Sequence, residues 1–415
     1  MLRPGQADAG ADHGYRGGDD CAVAVNRKLR LAFVVGALEA AGSERQMLAL
    51  AKRLPRDRFE VDFVLLSRPG VLASEAEAAG ARLVVVPPPV RRAEMPRPAV
   101  AARVSLKALN FVRLVRAGHY DIVDAWLFHA YLLAALTRPL TRVPVIVTGR
   151  RSLAPREAQG SLGLGLQRLS NRAADAIVAN SPQARASAIE REGVRPDLVR
   201  VIRNGVEIPE PLGQEARRRL RLQLGFDDDA FLVGNIANYL PGKGHELLLR
   251  AFARAAESLP KAHLTLIGEG YLRNELEKLI SSLGLDGRAV LHGRVDDPVG
   301  MLPAFDVVAQ ASDAEGLPNA VLEAAATGRP IVTTPAGGTL EIIRDGDTGY
   351  LVPFGNPSEF AAALEHVAAH PDEAAAAGNA ARAFVAREFS MDRFVVGFAT
   401  LYEELARAKG ILPHA

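Results

Sequence analysis

Short apolar runs alternate with longer amphipathic segments along almost the whole chain. This alternation is typical of β-α-β units, in which a buried strand is followed by a helix that covers the sheet. In the first half we predict strands at Leu29–Val35, Val61–Leu66, Leu83–Val86, Ile122–Ala125, Val145–Thr148 and Ala176–Ala179. In the second half we predict strands at Leu232–Ala237, His263–Ile267, Ala289–His292, Val307–Gln310, Ile331–Thr334 and Tyr350–Val352. The pattern indicates an α/β protein with parallel sheets.

The two series of strands predict two doubly wound domains. Between them, Gly and Pro interrupt the periodicity from Asn204 to Gly213, and a final helical pattern runs from Ser390 to Lys409. We therefore divide the chain into a disordered tail (1–27), a first domain (28–205), a second domain (206–388) and a terminal helical segment (389–415). Ligands of such sheets bind at the carboxyl ends of the strands, so a cleft between two facing sheets is the expected binding site.

Composition and charge describe an ordinary globular protein. Of the 415 residues, 48% are hydrophobic and 24% are charged, and the formal net charge of +2 gives no reason to expect a nucleic-acid partner. The single cysteine, Cys21, allows neither a disulfide within the chain nor a cysteine-based metal site, which fits a reducing compartment. The tail lacks the apolar run of a signal peptide, and the stretch Ile122–Leu136 is too short to span a bilayer. We expect a cytoplasmic protein, either soluble or peripheral at the inner face of the membrane.

The most informative stretch places two carboxylates eight positions apart. Glu315 and Glu323 flank a turn and an Ala-rich segment, and the turn consists of Gly316, Leu317, Pro318 and Asn319. Proline suits the first turn of a helix, so Glu315 should lie on a loop and Glu323 inside the helix. The free N–H groups at that helix start suit a phosphate or a sugar hydroxyl. The alternative is a surface helix that carries two solvated acids.

Two further loops join a predicted strand to a helix. Gly36 to Arg45 is rich in small residues, includes Gly42, and offers Ser43 as an N-cap, so it is either a packing turn or a binding loop. Lys243 lies between two glycines after the strand that ends at Ala237. A lysine beside a helix start suits a diphosphate leaving group, although a surface lysine in a turn is the simpler alternative.

Weaker signals come from single residues at strand ends. His129 follows the strand Ile122–Ala125, where either a packed core histidine or a ligand-binding one is expected. Gly268 and Val295 follow the second and third strands of the second domain. No Gly-x-Gly-x-x-Gly follows either first strand, which disfavours a dehydrogenase. We predict no metal site.

The Glu315–Glu323 string resembles the signature of the retaining GT-B glycosyltransferases of family 4, which carry Glu, seven residues and Glu in this setting. The resemblance implies two Rossmann-like domains facing across a cleft. It implies that Glu315 contacts the donor sugar and that Glu323 holds the ribose of the nucleotide. It also implies that Lys243 binds the diphosphate and that His129 contacts the donor sugar.

The resemblance extends to other loops. The Gly42 loop is similar to the Gly-Gly-x-Glu-Arg loop of the family, with Ala41 in place of the first glycine. Gly268 would belong to the donor site, and the backbone near Val295 would meet the base. One position departs from the family pattern, because neutral Asn238 stands where an arginine commonly helps the lysine to clamp the diphosphate. The terminal helix would cross back to the first domain.

The implied activity is transfer of a sugar from a UDP- or GDP-linked donor to an acceptor hydroxyl with retention of configuration. The setting would be synthesis of a polysaccharide, a glycolipid or a cell-envelope glycan, and neither a metal ion nor another cofactor is expected. Two alternatives stay open. A GT-B epimerase or hydrolase would consume the donor without an acceptor, and a non-catalytic sugar-nucleotide-binding protein would fit the loss of charge at Asn238.

Residues 82–116 are strongly basic. A single acid, Glu94, is set against Arg82, Arg91, Arg92, Arg97, Arg103, Lys107, Arg113 and Arg116. Apolar residues recur among them at helical spacing. This pattern indicates either a solvated face or a basic amphipathic helix that rests on anionic lipid. The acceptor would then be a glycan or a lipid-linked molecule.

Overall fold

The computed structural model of the protein describes residues 27–88, 97–151 and 160–413. Nearly all of the predicted tail, together with Arg91, Arg92 and Glu94 of the basic stretch, lies outside the described residues. The described chain forms two sheets in which every pair of neighbouring strands is parallel. Helices flank both sheets, which is the GT-B architecture expected from the sequence.

The first sheet has the strand order β3-β2-β1-β4-β5-β6-β7. Its strands are β1 (Leu29–Val35), β2 (Phe59–Leu65), β3 (Arg82–Val85), β4 (Ile122–Ala125), β5 (Val145–Arg150), β6 (Ala176–Ala179) and β7 (Val199–Val201). The prediction missed β7, because this edge strand has three residues and two of them are exposed. The other six strands begin and end within two residues of the predicted positions.

The second sheet repeats the same order as β10-β9-β8-β11-β12-β13. Its strands are β8 (Phe231–Ile236), β9 (Ala262–Ile267), β10 (Ala289–Gly293), β11 (Val307–Gln310), β12 (Ile331–Thr333) and β13 (Tyr350–Leu351). In each sheet the chain first builds outward on one side of the first strand and then on the other. The crevice at this reversal is where open α/β sheets bind ligands.

Helices connect the strands on both faces. In the first domain they are α1 (Gly42–Arg53), α2 (Ala73–Ala78), α3 (Arg97–Gly118), α4 (Phe128–Thr141), α5 (Ser161–Asn171) and α6 (Pro182–Glu190). In the second they are α7 (Gln214–Gln223), α8 (His245–Ser258), α9 (Arg273–Ser282), α10 (Pro298–Met301), α11 (Asn319–Thr327), α12 (Pro357–Ala369) and α13 (Pro371–Glu388). The chain ends on α14 (Met391–Ala408), and a 3-10 turn covers Gly337–Glu341.

The last helix belongs to the core of the first domain, although the second domain precedes it in the chain. Phe394, Phe398 and Tyr402 of α14 are buried in one cluster with β1, β2 and Trp126. The Phe398 and Trp126 rings lie 5.8 Å apart between centroids. This packing ties the end of the chain to the carboxyl end of β4, which faces the cleft.

Candidate functional site between the domains

A cavity of about 460 Å³ lies between the carboxyl ends of the two sheets, and both domains supply its walls. The volume falls within the range of about 300–1,000 Å³ that is usual for ligand pockets. Eight charged side chains line it, namely Glu39, Arg45, Arg151, Lys243, Glu269, Arg294, Glu315 and Glu323. A cavity with both signs of charge suits a ligand that carries phosphate groups and hydroxyl groups together.

Helix α11 forms one wall and begins at Asn319, directly after Pro318. Its apolar side packs inward through Val321, Leu322 and the alanines, and Gly328 ends it in a left-handed conformation with φ of 73°. Glu315 therefore lies on the loop and Glu323 lies in the second turn of the helix, and both line the cavity. Pro318, the N-cap residue of α11, makes no side-chain cap hydrogen bond in the described part of the chain, so the N–H groups of the first turn can bind a ligand.

Burial raises the pKa of Glu323 to about 7. Arg45, which approaches from the first domain, works against this shift, and Asp297 adds to it. The carboxyl group is thus held in a half-enclosed site where the charged form is disfavoured unless a ligand supplies hydrogen-bond donors. Such a group is suited to accept hydrogen bonds from neutral hydroxyls.

Lys243 and Glu315 form an ion pair, with 2.6 Å between the lysine Nζ and a carboxylate oxygen. The loop that carries Lys243 can approach β11 because Gly244 has no side chain. A Cβ added there would lie 1.8 Å from the carbonyl oxygen of Ala311, and its φ of +69° also favours glycine. The loop therefore fixes the lysine over the Glu315 turn.

Helix α1 faces α11 across the cavity. It begins at Gly42, and Ala41 occupies the N-cap position without a side-chain hydrogen bond, so the prediction that Ser43 caps this helix is wrong. The backbone is already helical at Gly42, one residue before Ser43. A Cβ on Gly42 would lie 2.5 Å from the side-chain nitrogen Nδ2 of Asn319. Two uncapped helix starts therefore meet at one cavity, which is a favourable setting for an anion.

Nine of the predicted site residues line the cavity, and they are Gly42, Asn238, Lys243, Val295, Glu315, Leu317, Pro318, Asn319 and Glu323. Gly268 and Gly316 lie behind the wall, where they permit close backbone packing. A Cβ on Gly268 would lie 2.0 Å from the carbonyl oxygen of Ala237, and one on Gly316 would lie 2.5 Å from that of Arg151. Both glycines shape the site from behind.

His129 lies outside the cavity lining. It is the second residue of α4 and is exposed, with its ring edge-on to Phe128 at 5.6 Å between centroids. The structure therefore does not bring it together with Glu315 and Lys243.

The cavity also contains side chains that the sequence did not single out as site residues, namely Arg45, Arg151, Asn180, Asn204, Glu269 and Arg294. Most of them follow the carboxyl end of a parallel strand, and this position was the available signal. The adjacent arginines 150 and 151 differ sharply. Arg150 is buried away from the cavity and pairs with Glu192 at 2.9 Å, whereas Arg151 faces the cavity.

Metal ligands are not grouped in the part of the chain that the structure describes. No set of three or more His, Cys, Asp or Glu side chains there could hold a metal ion. His366 and His370 are one helical turn apart and their rings stack at 4.4 Å. They already contact Glu373 and a backbone carbonyl oxygen, respectively. The expectation of no metal site stays a prediction.

Comparisons with known proteins match each half of the chain to a glycosyltransferase family. The glycosyl transferases group 1 family matches residues 216–384, and the glycosyltransferase family 4 model matches residues 40–209. A putative glycosyltransferase, EpsD of Bacillus subtilis (strain 168), is 30% identical over 218 residues, which are 52% of this chain and 57% of EpsD. The chain thus spans only a little over half of that relative.

Other similarities extend over nearly the whole chain. The D-inositol 3-phosphate glycosyltransferase of Streptomyces bingchenggensis (strain BCW-1) is 26% identical over 397 residues, covering 90% of this chain and 86% of that protein. The crystal structure of Anabaena HepE in complex with UDP and glucose superposes with a TM-score of 0.80 at 23% identity, covering 91% of this chain and all of HepE. The two family matches, one over each domain, show that the chain belongs to the glycosyltransferases of family 4, also described as glycosyl transferases group 1, and the two parallel sheets have the GT-B fold.

Proposed function

We propose that this glycosyltransferase moves a sugar from a nucleotide-sugar donor to an acceptor hydroxyl with retention of configuration and without a metal ion. The observation that carries the proposal is the meeting of Lys243, Glu315 and Glu323 with two uncapped helix starts at one cavity. The product would be a polysaccharide, a glycolipid or another cell-envelope glycan.

The donor would lie along α11. Glu323 would accept hydrogen bonds from the ribose hydroxyls, which supply the donors that its enclosed carboxyl group needs. A UDP-linked donor is supported by the HepE complex with UDP and glucose, although GDP is kept as a second choice. Asn238 lines the same wall, and its side chain would contribute hydrogen bonds without charge.

Lys243 would stabilise the leaving diphosphate, together with the N–H groups at the starts of α1 and α11. In the free protein its partner is Glu315. A bound diphosphate would draw the ammonium group away and leave the Glu315 carboxylate to accept hydrogen bonds from the sugar. The pair therefore keeps both groups near their working positions before the donor arrives.

In the reaction, the bond between the anomeric carbon and the phosphate oxygen breaks, and its electron pair stays with the nucleoside diphosphate. The acceptor oxygen then bonds to the anomeric carbon on the same face. Its proton passes to the phosphate oxygen that has just left. The protein forms no covalent bond to the sugar and acts by positioning and by stabilising charge.

The test is a thermal-shift screen against UDP-, GDP-, ADP- and dTDP-sugars, repeated with Glu323→Ala. A ligand that binds only the folded state raises the melting temperature by mass action. We expect a shift for one nucleotide series and its loss in the variant. Absence of any shift would contradict the donor assignment.

Assays of turnover test three further parts of the proposal, namely retention of configuration, independence of metal ions and transfer rather than hydrolysis. The anomeric configuration of the product, measured by NMR, reports retention or inversion. Activity that survives dialysis against a chelator supports metal independence, and activity that returns only on adding Mg²⁺ or Mn²⁺ contradicts it. Consumption of donor without acceptor would instead favour a hydrolase.

The membrane part of the proposal concerns α3. Val104, Leu106 and Leu109 are about half exposed, and Arg103, Arg113 and Arg116 are exposed on the same helix. Phe111, Val112 and Val115 instead pack inward, so the exposed apolar side chains are separate from those that contact the domain core. No helix among the described residues is long and apolar enough to cross a membrane. We propose that this face rests on anionic lipid near the acceptor.

One residue of the basic stretch does not belong to that surface. Lys107 is buried, and its ammonium group donates to the carbonyl oxygens of Leu66 and Val86 at the ends of β2 and β3. Sedimentation with anionic vesicles at low salt tests the proposal. Leu106→Ser with Leu109→Ser should reduce binding, and Leu222→Ser, which removes an exposed leucine from α7, is the control. Equal sedimentation of all three proteins, or of none, would contradict it.

A further inference from the structure

We infer that Tyr402, Asp124, Trp126, Arg151 and Asn204 form one chain of contacts through which the last helix positions the start of α11 in the donor site. Tyr402 lies on α14, and the chain of contacts ends at Asn319, the first residue of α11. The contacts alone predict that the first turn of α11 is held in place by the first domain. Its consequence for nucleotide binding rests on the proposed function.

The first link is buried in the first domain. The Tyr402 hydroxyl donates to one carboxylate oxygen of Asp124 at 2.6 Å, and the Trp126 indole N–H donates to the other at 3.0 Å. Asp124 and Trp126 have no exposed surface. The Tyr402 hydroxyl holds the Asp124 carboxylate in place, and that carboxylate in turn holds the Trp126 indole. The position of the indole ring therefore depends on a hydroxyl of α14.

The second link is the stacking of Arg151 on that ring. The guanidinium carbon lies 3.5 Å from the Trp126 ring centroid, a close cation–π contact. Two nitrogens of this guanidinium are buried without a hydrogen-bond partner among the described residues. Burial lowers the pKa of Arg151 to about 9, while the charge of Asp124 opposes the shift. Arg151 is thus held by the indole face and by Asp124 more than by hydrogen bonds.

The third link crosses the cleft. The remaining Arg151 nitrogen donates to the side-chain oxygen of Asn204 at 2.8 Å, and the Asn204 amide donates to the side-chain oxygen of Asn319 at 2.6 Å. Asn319 also lies against Gly42, where a Cβ would meet its amide at 2.5 Å. The first turn of α11 is therefore held by the first domain. No side-chain cap of its own replaces this hold.

Tyr402 does not line the cavity, and it reaches α11 only through this chain of contacts. Removing the Tyr402 hydroxyl should loosen Trp126, then Arg151, and finally the first turn of α11, which carries the uncapped N–H groups. Tyr402 and Asp124 are thus positioning residues for a donor site that neither of them lines.

The chain offers a matched control. Tyr120 is also buried in the first domain, and its hydroxyl also donates to a buried carboxylate, that of Asp62, at 2.6 Å. Tyr120 lies before β4, at the opposite end of the sheet from the cleft. Tyr402→Phe and Tyr120→Phe therefore each remove one buried hydroxyl–carboxylate hydrogen bond, and only the first lies in the chain of contacts.

Hydrogen exchange of the full chain without ligand is the primary experiment. We expect Tyr402→Phe to speed the exchange of the α11 amides from Leu322 to Ala325 by roughly fivefold, the effect of losing about one hydrogen bond of net stabilisation. Tyr120→Phe should leave these amides unchanged. An unchanged rate in Tyr402→Phe, or an equal increase in both variants, would overturn the inference.

The affinity for UDP, measured by calorimetry, is the second readout. We expect Kd to rise about fivefold in Tyr402→Phe and in Arg151→Lys, which keeps the charge but loses the planar stacking group. The double variant Tyr402→Phe/Asn204→Ala should be less than additive, because both changes break one chain of contacts. Additive losses would overturn the inference. A wild-type protein that does not bind UDP would count against the proposed donor and leave the exchange result valid.

Discussion

The two domains have the same strand order but contribute to the cleft in different ways. The second domain supplies Lys243, Glu315 and Glu323 from two short segments, the Lys243 loop and the Glu315–Glu323 string, and it adds Glu269 and Arg294 after β9 and β10. The first domain supplies Arg45, Arg151, Asn180 and Asn204 from separate elements, among them the ends of β5, β6 and β7. The second domain therefore places three of its five charged cavity residues in two short segments, whereas each of these four residues of the first domain comes from a different element.

This difference has a physical reason. A helix start with a preceding loop can bind a phosphate or hydroxyl group with local backbone alone, so the residues concerned stay close in sequence. In the proposed function the first domain would contact the acceptor, and its groups come from several strand ends that meet at one edge. The larger effects of substitution should accordingly fall in the second domain.

The largest expected effect is on the ion pair of the second domain. Lys243→Ala should lower kcat by roughly 10²–10³, the usual loss when one group that stabilises the leaving charge is removed. Glu315→Gln should lower kcat while keeping the fold, because a Lys243 without a carboxylate partner is still partly exposed to solvent. Steady-state kinetics with the donor found in the screen measures both. A loss of less than tenfold in Lys243→Ala would show that the leaving group is stabilised elsewhere.

A smaller effect, on stability, concerns the glycine that lets the Lys243 loop approach β11. Gly244→Ala should destabilise the protein by about 2–3 kcal/mol, because the new Cβ would meet the Ala311 carbonyl oxygen and φ is positive. Gly36→Ala, in the corresponding loop of the first domain, meets nothing within 4 Å and is the control. Urea unfolding measures both. Equal destabilisation by the two changes would mean that the two loops do not differ in packing.

The next effect is a dependence of stability on pH. The pKa of Glu323 in the folded protein is about 7, above its ordinary value of 4.5, so the folded state holds this proton more tightly than the unfolded state. The resulting stabilisation is complete below about pH 4.5 and is lost as the pH rises through 7. Glu323→Gln should therefore stabilise the ligand-free protein by about 2–3 kcal/mol at pH 8 and by less than about 1 kcal/mol at pH 5.

Urea unfolding at the two pH values measures this effect, with Glu210→Gln, an exposed carboxylate in the segment Asn204–Gly213, as the control. Stabilisation by Glu323→Gln that is larger at pH 5 than at pH 8 would contradict the assigned environment. The same variant should bind the nucleotide more weakly, because a neutral amide is a poorer acceptor for ribose hydroxyls. Stability and binding would then change in opposite directions, as expected of a group kept for function.

The sequence predicted the fold and the second wall of the cavity better than the first wall. Twelve of the strands followed from apolar runs, whereas β7 is too short and too exposed to produce one. Glu315 and Glu323 could be placed from one proline and one Ala-rich run. Arg151 could not be distinguished from Arg150 beforehand, since only packing decides which of two adjacent arginines is buried with Glu192 and which faces the cavity.

Substitution of His129 should have the smallest effect on catalysis, and it tests directly whether the first domain contacts the donor sugar. It was predicted to contact the donor sugar, but it is exposed and does not line the cavity in this structure. His129→Ala should lower kcat/KM by less than about tenfold, the loss expected for a residue that does not stabilise developing charge. A loss of a hundredfold or more would mean that α4 approaches the sugar when donor and acceptor are bound. In that case a residue of the first domain would contact the donor sugar during the reaction. The difference between the two domains described above would then apply only to the protein without ligands.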